Sequence, residues 1–161
     1  MNELARVLTI AGSDSGGGAG IQADLKTFQA FDVFGMSVIT SVTSQNTVEV
    51  RSVQDISPDV IVDQFESVVE DIGVDAVKIG MLSKSKIINA VAEEIEKYNI
   101  EKIVLDPVMI SKSGHFLLRE GDEKVLIKRL LPLVDLVTPN IPEAELICGS
   151  EIDDIDRKSV V

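Results

Sequence analysis

Between residues 11 and 27 the chain reads AGSDSGGGAGIQADLKT, and five of its eleven glycines fall between Gly12 and Gly20. A short apolar run at 7–10 precedes this segment, and residues with helical spacing follow it. A strand, a glycine-rich turn and a helix start bring a ligand close to backbone. Glycine removes the Cβ barrier, and the first turn of a helix offers unpaired N–H groups to an electron-rich group. No Gly-Lys-Ser/Thr follows, so this is not a Walker A loop. Gly18, Gly20 and Ala23 satisfy G-x-G-x-x-G/A, the dinucleotide fingerprint. The acid that should support it about 20 residues later, near the end of the second strand, is missing from residues 38–45. A tight structural turn accounts for the same glycines.

Four further clusters carry polar chemistry. Residues 40–47, TSVTSQNT, are rich in hydroxyls and amides. Gln45 can donate and accept side by side, matching a ring nitrogen next to an exocyclic amine, although polar capping of a turn explains the run equally well. In Lys78-Ile79-Gly80-Met81 a glycine permits close approach and a methionine supplies an adaptable apolar wall, unless both merely pack a strand end. Asp106, before Pro107-Val108-Met109, can help hold Mg²⁺ through water or simply cap the turn. Asn140 and Glu143 fit a capping box with Pro142 in the first turn, and Glu143 also suits a place beside metal and nucleotide phosphates. Residues 111–115 read as a polar lid loop whose His115, the sole histidine, suits the surface better than a base.

The elements that must position these groups follow from hydrophobic patterning. Apolar, β-branched runs alternate with amphipathic ones, as in βαβ units around a mostly parallel sheet. Strands are expected at 6–10, 36–44, 76–79, 102–105 and 133–137, with an edge or excursion strand near 48–56. Helices are expected at 21–31, 58–71, 85–98, 122–131 and 142–147. Ser57-Pro58 reads as N-cap and first helical residue, and Ile61, Phe65 and Val68/Val69 form the apolar stripe behind it. All five clusters then fall at the carboxyl ends of parallel strands, where open α/β sheets bind ligands. That placement predicts a small-molecule site with anionic and heteroaromatic contacts.

Composition narrows the classes. The 161 residues, 45% apolar, suffice for one domain over 1–161 with a real core. A net charge of −12, spread through the chain, argues against nucleic acid. No run approaches the ~18 apolar residues of a bilayer span, and no leader is evident. The lone Cys148 excludes an internal disulfide and a Cys-rich zinc site. A cytoplasmic setting is the default. Residues 153–161 read as a helix just begun, so the chain reads as a fragment of something longer.

With AGSDSGGGAGIQADLKTF, GMSVIT, QNT, KIGML, DPVM, KSG and TPNIPEAE in order, the chain resembles the hydroxymethylpyrimidine/phosphomethylpyrimidine kinases of the ribokinase-like superfamily. The resemblance implies a three-layer α/β/α fold around a mostly parallel sheet, incomplete at the C-terminal side. It implies ATP- and Mg²⁺-dependent phosphorylation of 4-amino-5-hydroxymethyl-2-methylpyrimidine and its monophosphate in thiamine biosynthesis, by a homodimer. By analogy Gln45 reads the aminopyrimidine edge, with Asp24, Val42, Met81 and Val108 around the ring and the backbone of Gly12 and Ala19 beside it. Asp106 and Glu143 match positions near the metal, and Asn140 and Glu143 positions near the ATP phosphates. The family's Gly-Thr-Gly-Cys anion hole, with its proton acceptor, has no counterpart here, so no catalytic base is assigned. Two alternatives stand: a pyridoxal kinase, and a truncated pyrimidine-binding protein without catalysis.

Overall fold

The structure, a computed structural model, describes residues 4–109, 118 and 121–152. The expected lid at 111–115 and the incipient helix at 153–161 lie outside them. In chain order the elements are β1 (Arg6–Asp14), α1 (Gly20–Ala30), β2 (Phe34–Gln45), β3 (Val50–Asp55), α2 (Pro58–Asp71), β4 (Ala76–Ile79), α3 (Ser85–Lys97), β5 (Ile103–Leu105), α4 (Glu123–Val125), β6 (Leu136–Val137) and α5 (Ile141–Cys148).

The sheet runs β3-β2-β1-β4-β5-β6, all parallel except β3, which pairs antiparallel with β2 at the edge. From β1 the chain first moves outward to β2, and later steps the other way through β4 and β5. Right-handed crossovers therefore place α1 on one face and α3 on the other. In agreement, α1 packs on β1 and β2, whereas α2 packs against α3. The result is the expected three-layer α/β/α arrangement. Its topological switch point lies between β1 and β4, where a ligand crevice is expected.

The core fills the space on the α2–α3 side and between strands. Leu8, Ile10, Val38, Ile79, Ile103 and Leu105 of the sheet meet Ile61, Phe65, Ile88 and Leu126, all essentially without solvent contact. Near-continuous apolar strands are what burial on both faces demands.

Three elements depart from the sequence expectation. β1 does not stop at Ile10 but continues to Asp14, with a register shift between Ala11 and Ser13 against β2. The extra residue belongs to β2, where Thr40 and Ser41 face the single Gly12 of β1, and a Cβ on Gly12 would stand 2.7 Å from Ser41 Oγ and 2.9 Å from Met81 Cε. The helix expected at 122–131 is a short α-helical turn, then a π-turn over Leu126–Leu130 and a 3-10 turn over Leu131–Leu133. Pro132, which has no N–H to give an α-helical ladder, sits in that last turn. The 3-10 turn takes Leu133, the first residue of the strand expected at 133–137, and β6 keeps only Leu136 and Val137. Ser57 occupies the N-cap position of α2 with extended backbone, but its side chain makes no capping bond.

Candidate functional site

The glycine segment is organised around a carboxylate of its own. Asp14, at the tip of β1, accepts N–H donors from Gly16 at 2.8 Å through Oδ1, and from Gly18 at 2.9 Å and Ala19 at 2.8 Å through Oδ2. Burial pushes the Asp14 carboxyl up, but the N–H groups of Gly16, Ala19 and Gly18 outweigh it and hold the carboxyl below its ordinary value. The Asp14 N–H donates to Gln22 Oε1, and Gln22 Nε2 donates to Ser13 Oγ, which ties the strand tip to the first turn of α1. Gly20 opens α1 at φ +55°, and a Cβ there would lie 2.3 Å from the Gly12 carbonyl oxygen. Only glycine closes this turn.

A cavity of about 460 Å³ opens beside this loop, at the carboxyl ends of β1, β2, β4 and β5. Ser13, Gly12, Ala19, Ala23 and Asp24 form its β1–α1 side, and Thr43 and Gln45 its β2 side. Lys78, Gly80 and Met81 come from β4 and the residues after it, Asp106 and Val108 from the residues after β5, and Val50 and Val53 from β3. Gln45 is anchored through its backbone: its N–H donates to Ser15 Oγ at 2.8 Å, and Ser15 Oγ donates to its carbonyl at 2.6 Å. Among the described residues its side-chain oxygen has only a long 3.4 Å approach from Thr43 Oγ1, which leaves the amide for a ligand.

Among the described lining residues the electrostatics are acidic, with one cation, Lys78, inside. Asp24 Oδ2 accepts from Thr9 Oγ1 at 2.6 Å and from Lys78 Nζ at 3.1 Å, while Lys78 Nζ stands 4.0 Å from Asp106 Oδ2. Burial pushes the Asp106 carboxyl above its ordinary value; Lys78 opposes the shift, and the charges of Glu143 and Asp24 add to it. Val108 sits at φ +42°, a strained conformation for a β-branched residue.

Of the residues singled out in the sequence, Gly12, Ala19, Asp24, Gln45, Met81, Asp106 and Val108 come together around this cavity. Val42 does not join them. Alternation along β2 turns Thr43 and Gln45 toward the cavity and leaves Val42 exposed on the other face. Asn140 and Glu143 lie outside it as well, and their capping box is complete: Asn140 Oδ1 accepts from the Glu143 N–H, and Glu143 Oε2 from the Asn140 N–H, each at 3.0 Å. Glu143 Oε1 also accepts from the Met109 N–H at 2.9 Å, and the residue is 2% exposed. Its carboxylate is therefore committed to backbone, whereas Asp106 is open to the cavity. Among the described residues no cluster of three or more His, Cys, Asp or Glu could hold a metal ion. Sequence reasoning gave no role to Asp14, Lys78 or Thr9. The register of Thr9 and Lys78, opposite each other on β1 and β4, carries the signal only once the strands are paired.

The family model of the phosphomethylpyrimidine kinases matches residues 14–160. A hydroxymethylpyrimidine/phosphomethylpyrimidine kinase of Bacillus subtilis is 50% identical over 155 residues, covering 96% of this chain and 57% of that protein. A crystal structure of phosphomethylpyrimidine kinase from Clostridium difficile superposes with a TM-score of 0.92 at 55% identity, covering 96% of this chain and 67% of that one. The pyridoxal kinase from Staphylococcus aureus in complex with AMP-PCP gives 0.85 at 39% identity, covering 98% and 57%. The chain thus spans little more than half the length of the Bacillus relative.

Proposed function

Because this chain belongs to the phosphomethylpyrimidine kinase family, we propose that it forms the acceptor-binding part of an ATP-dependent kinase for 4-amino-5-hydroxymethyl-2-methylpyrimidine and its monophosphate, in thiamine biosynthesis. The observation that carries this reading is the cavity beside the glycine loop. It offers an uncommitted Gln45 amide, the Asp24 carboxylate and the apolar walls of Met81 and Val108, a combination suited to a flat ring with donor and acceptor groups on its edge.

Phosphoryl transfer is catalysed mostly by positioning and by stabilising charge on the transferred group. Gln45 orients the ring, and the missing Cβ of Gly12 lets it lie against backbone. Mg²⁺ would neutralise charge on the ATP phosphates, and it typically uses one or two carboxylates plus water. Asp106, the open carboxylate at the tip of β5, fits that task. Glu143 serves it indirectly, by holding the Met109 N–H and the start of α5 so that Asn140 stays placed near the nucleotide. None of the described residues is given the role of proton acceptor or anion hole. The exposed Val48, Val50 and Val53 at the β3 edge favour a homodimer closing over this side. We place the enzyme in the cytoplasm.

The test is transfer from Mg-ATP to hydroxymethylpyrimidine by the full-length protein; folded protein giving no phosphorylated product overturns the proposal. The likeness to the Staphylococcus pyridoxal kinase keeps pyridoxal as a second acceptor to compare. Gln45→Ala should weaken the aminopyrimidine by roughly ten- to hundredfold while changing pyridoxal less, because the lost amide leaves the amino-pyrimidine edge unpaired.

A further inference from the structure

Thr9 is fully buried in the middle of β1 and does not line the cavity, yet its hydroxyl donates to Asp24 Oδ2 at 2.6 Å. Lys78, facing Thr9 across the β1–β4 pair, donates to the same oxygen at 3.1 Å. Two donors on one oxygen fix the carboxylate plane of a residue on a helix, and they do so from two strands of a rigid sheet. Among the described residues no donor reaches the other oxygen, Oδ1, although the Asp24 side chain lines the cavity and is 15% exposed. A carboxylate so placed, with one oxygen tied down and one left over, is arranged to accept from something that enters.

We infer that Thr9 and Lys78 are positioning residues that reserve Asp24 Oδ1 as the acceptor for a hydrogen-bond donor on the ring substrate. The donor is a polar hydrogen on a ring substituent, supplied either by the exocyclic amine or by the hydroxymethyl group. This rests on the acceptor-pocket reading above. Thr9 acts only through Asp24, since its hydroxyl touches no part of the cavity. Lys78 also lies toward Asp106, so it links the ring-binding carboxylate to the one at the phosphate side.

The test is calorimetric titration of the full-length protein with three ligands: hydroxymethylpyrimidine, its analogue lacking the amino group, and its analogue with methyl in place of hydroxymethyl. Thr9→Val keeps the shape of the side chain and removes the donor. It should weaken hydroxymethylpyrimidine by roughly tenfold or more, the usual effect on a hydrogen bond to a charged group. It should leave unchanged whichever analogue lacks the donor that Asp24 accepts from, which tells amine from hydroxyl. Thr9→Ser, which restores a hydroxyl, should restore affinity. Should Thr9→Val not fold, Lys78→Met must show the same selective loss. An equal loss for all three ligands, or no loss, overturns the inference alone. Wild-type protein that binds none of the three removes the acceptor reading and this inference with it.

Discussion

The carboxylate of Asp14 accepts the backbone N–H of Ala19 at 2.8 Å, so the glycine loop is filled by an anion of the chain itself. The N–H groups that a phosphate would need, those of Gly16, Gly18 and Ala19, all point at Asp14. A glycine-rich turn before a helix usually suggests a phosphate cradle. Here the same geometry is spent on holding the turn, and the surface it leaves is the floor of the ring pocket.

Asp14→Asn should therefore destabilise the fold by about 1–3 kcal/mol at neutral pH, because an amide cannot accept all three N–H groups with both its atoms. The pH dependence has a definite sign. A carboxyl held below its ordinary value in the folded state stabilises the fold above the unfolded value of about 4, and that contribution is lost as pH falls through the folded value. Urea titrations between pH 7 and pH 3 should show the gap between wild type and Asp14→Asn closing at the acid end. A gap that widens on acidification would contradict the assignment.

Gly20→Ala should cost several kcal/mol, about 2–4, because the new Cβ meets the Gly12 carbonyl at 2.3 Å and the backbone lies at φ +55°. Gly12→Ala meets side-chain atoms of Ser41 and Met81, and the Met81 side chain can move. Its melting temperature should fall less, while pyrimidine affinity drops because Met81 is displaced from the pocket wall. Differential scanning calorimetry and ligand titration separate the two effects.

Much of this was legible in the sequence where local and tertiary signals agree. α2 begins at Pro58 and ends at Asp71 as its N-terminal proline and apolar stripe indicate, and the β-branched run 76–79 is β4. The clustering of polar residues at strand ends followed from parallel topology alone. The misses have physical causes. Gly12 reads as a loop residue, yet an extra β2 residue opposite it absorbs the register shift and β1 runs on to Asp14. Val42 and Thr43 are adjacent in a hydroxyl-rich run, and only the pleat decides which one faces the ligand. Lys78 in a strand carries no mark of burial until Asp24 is placed beside it.

Val108 tests the strain at the β5 tip. Val108→Gly removes the steric cost of φ +42°, on the order of 1–3 kcal/mol, while losing some apolar contact and adding chain entropy. The thermal midpoint should change little, and the pyrimidine KM should rise because the apolar wall is gone. A large drop in midpoint with an unchanged KM would contradict a role in the pocket.

Asp106 and Glu143 should separate cleanly. Asp106→Asn should raise the Mg²⁺ concentration needed for half-maximal phosphoryl transfer with little change in stability, because this carboxylate is open to the cavity. Glu143→Gln, which can satisfy only one of the Met109 and Asn140 N–H groups through its oxygen, should lower stability by about 1–2 kcal/mol. Its Mg²⁺ requirement should stay near wild type. Titrations of Mg²⁺ and of urea on each variant give both readings.

The most direct measurement is a crystal structure of the full-length protein with hydroxymethylpyrimidine. The ring should lie between the Gln45 amide and Asp24, against Met81 and Val108, with Asp14 still accepting from Gly18 and Ala19. A phosphate seated on those two amides, or a ring bound away from Gln45, would contradict the account.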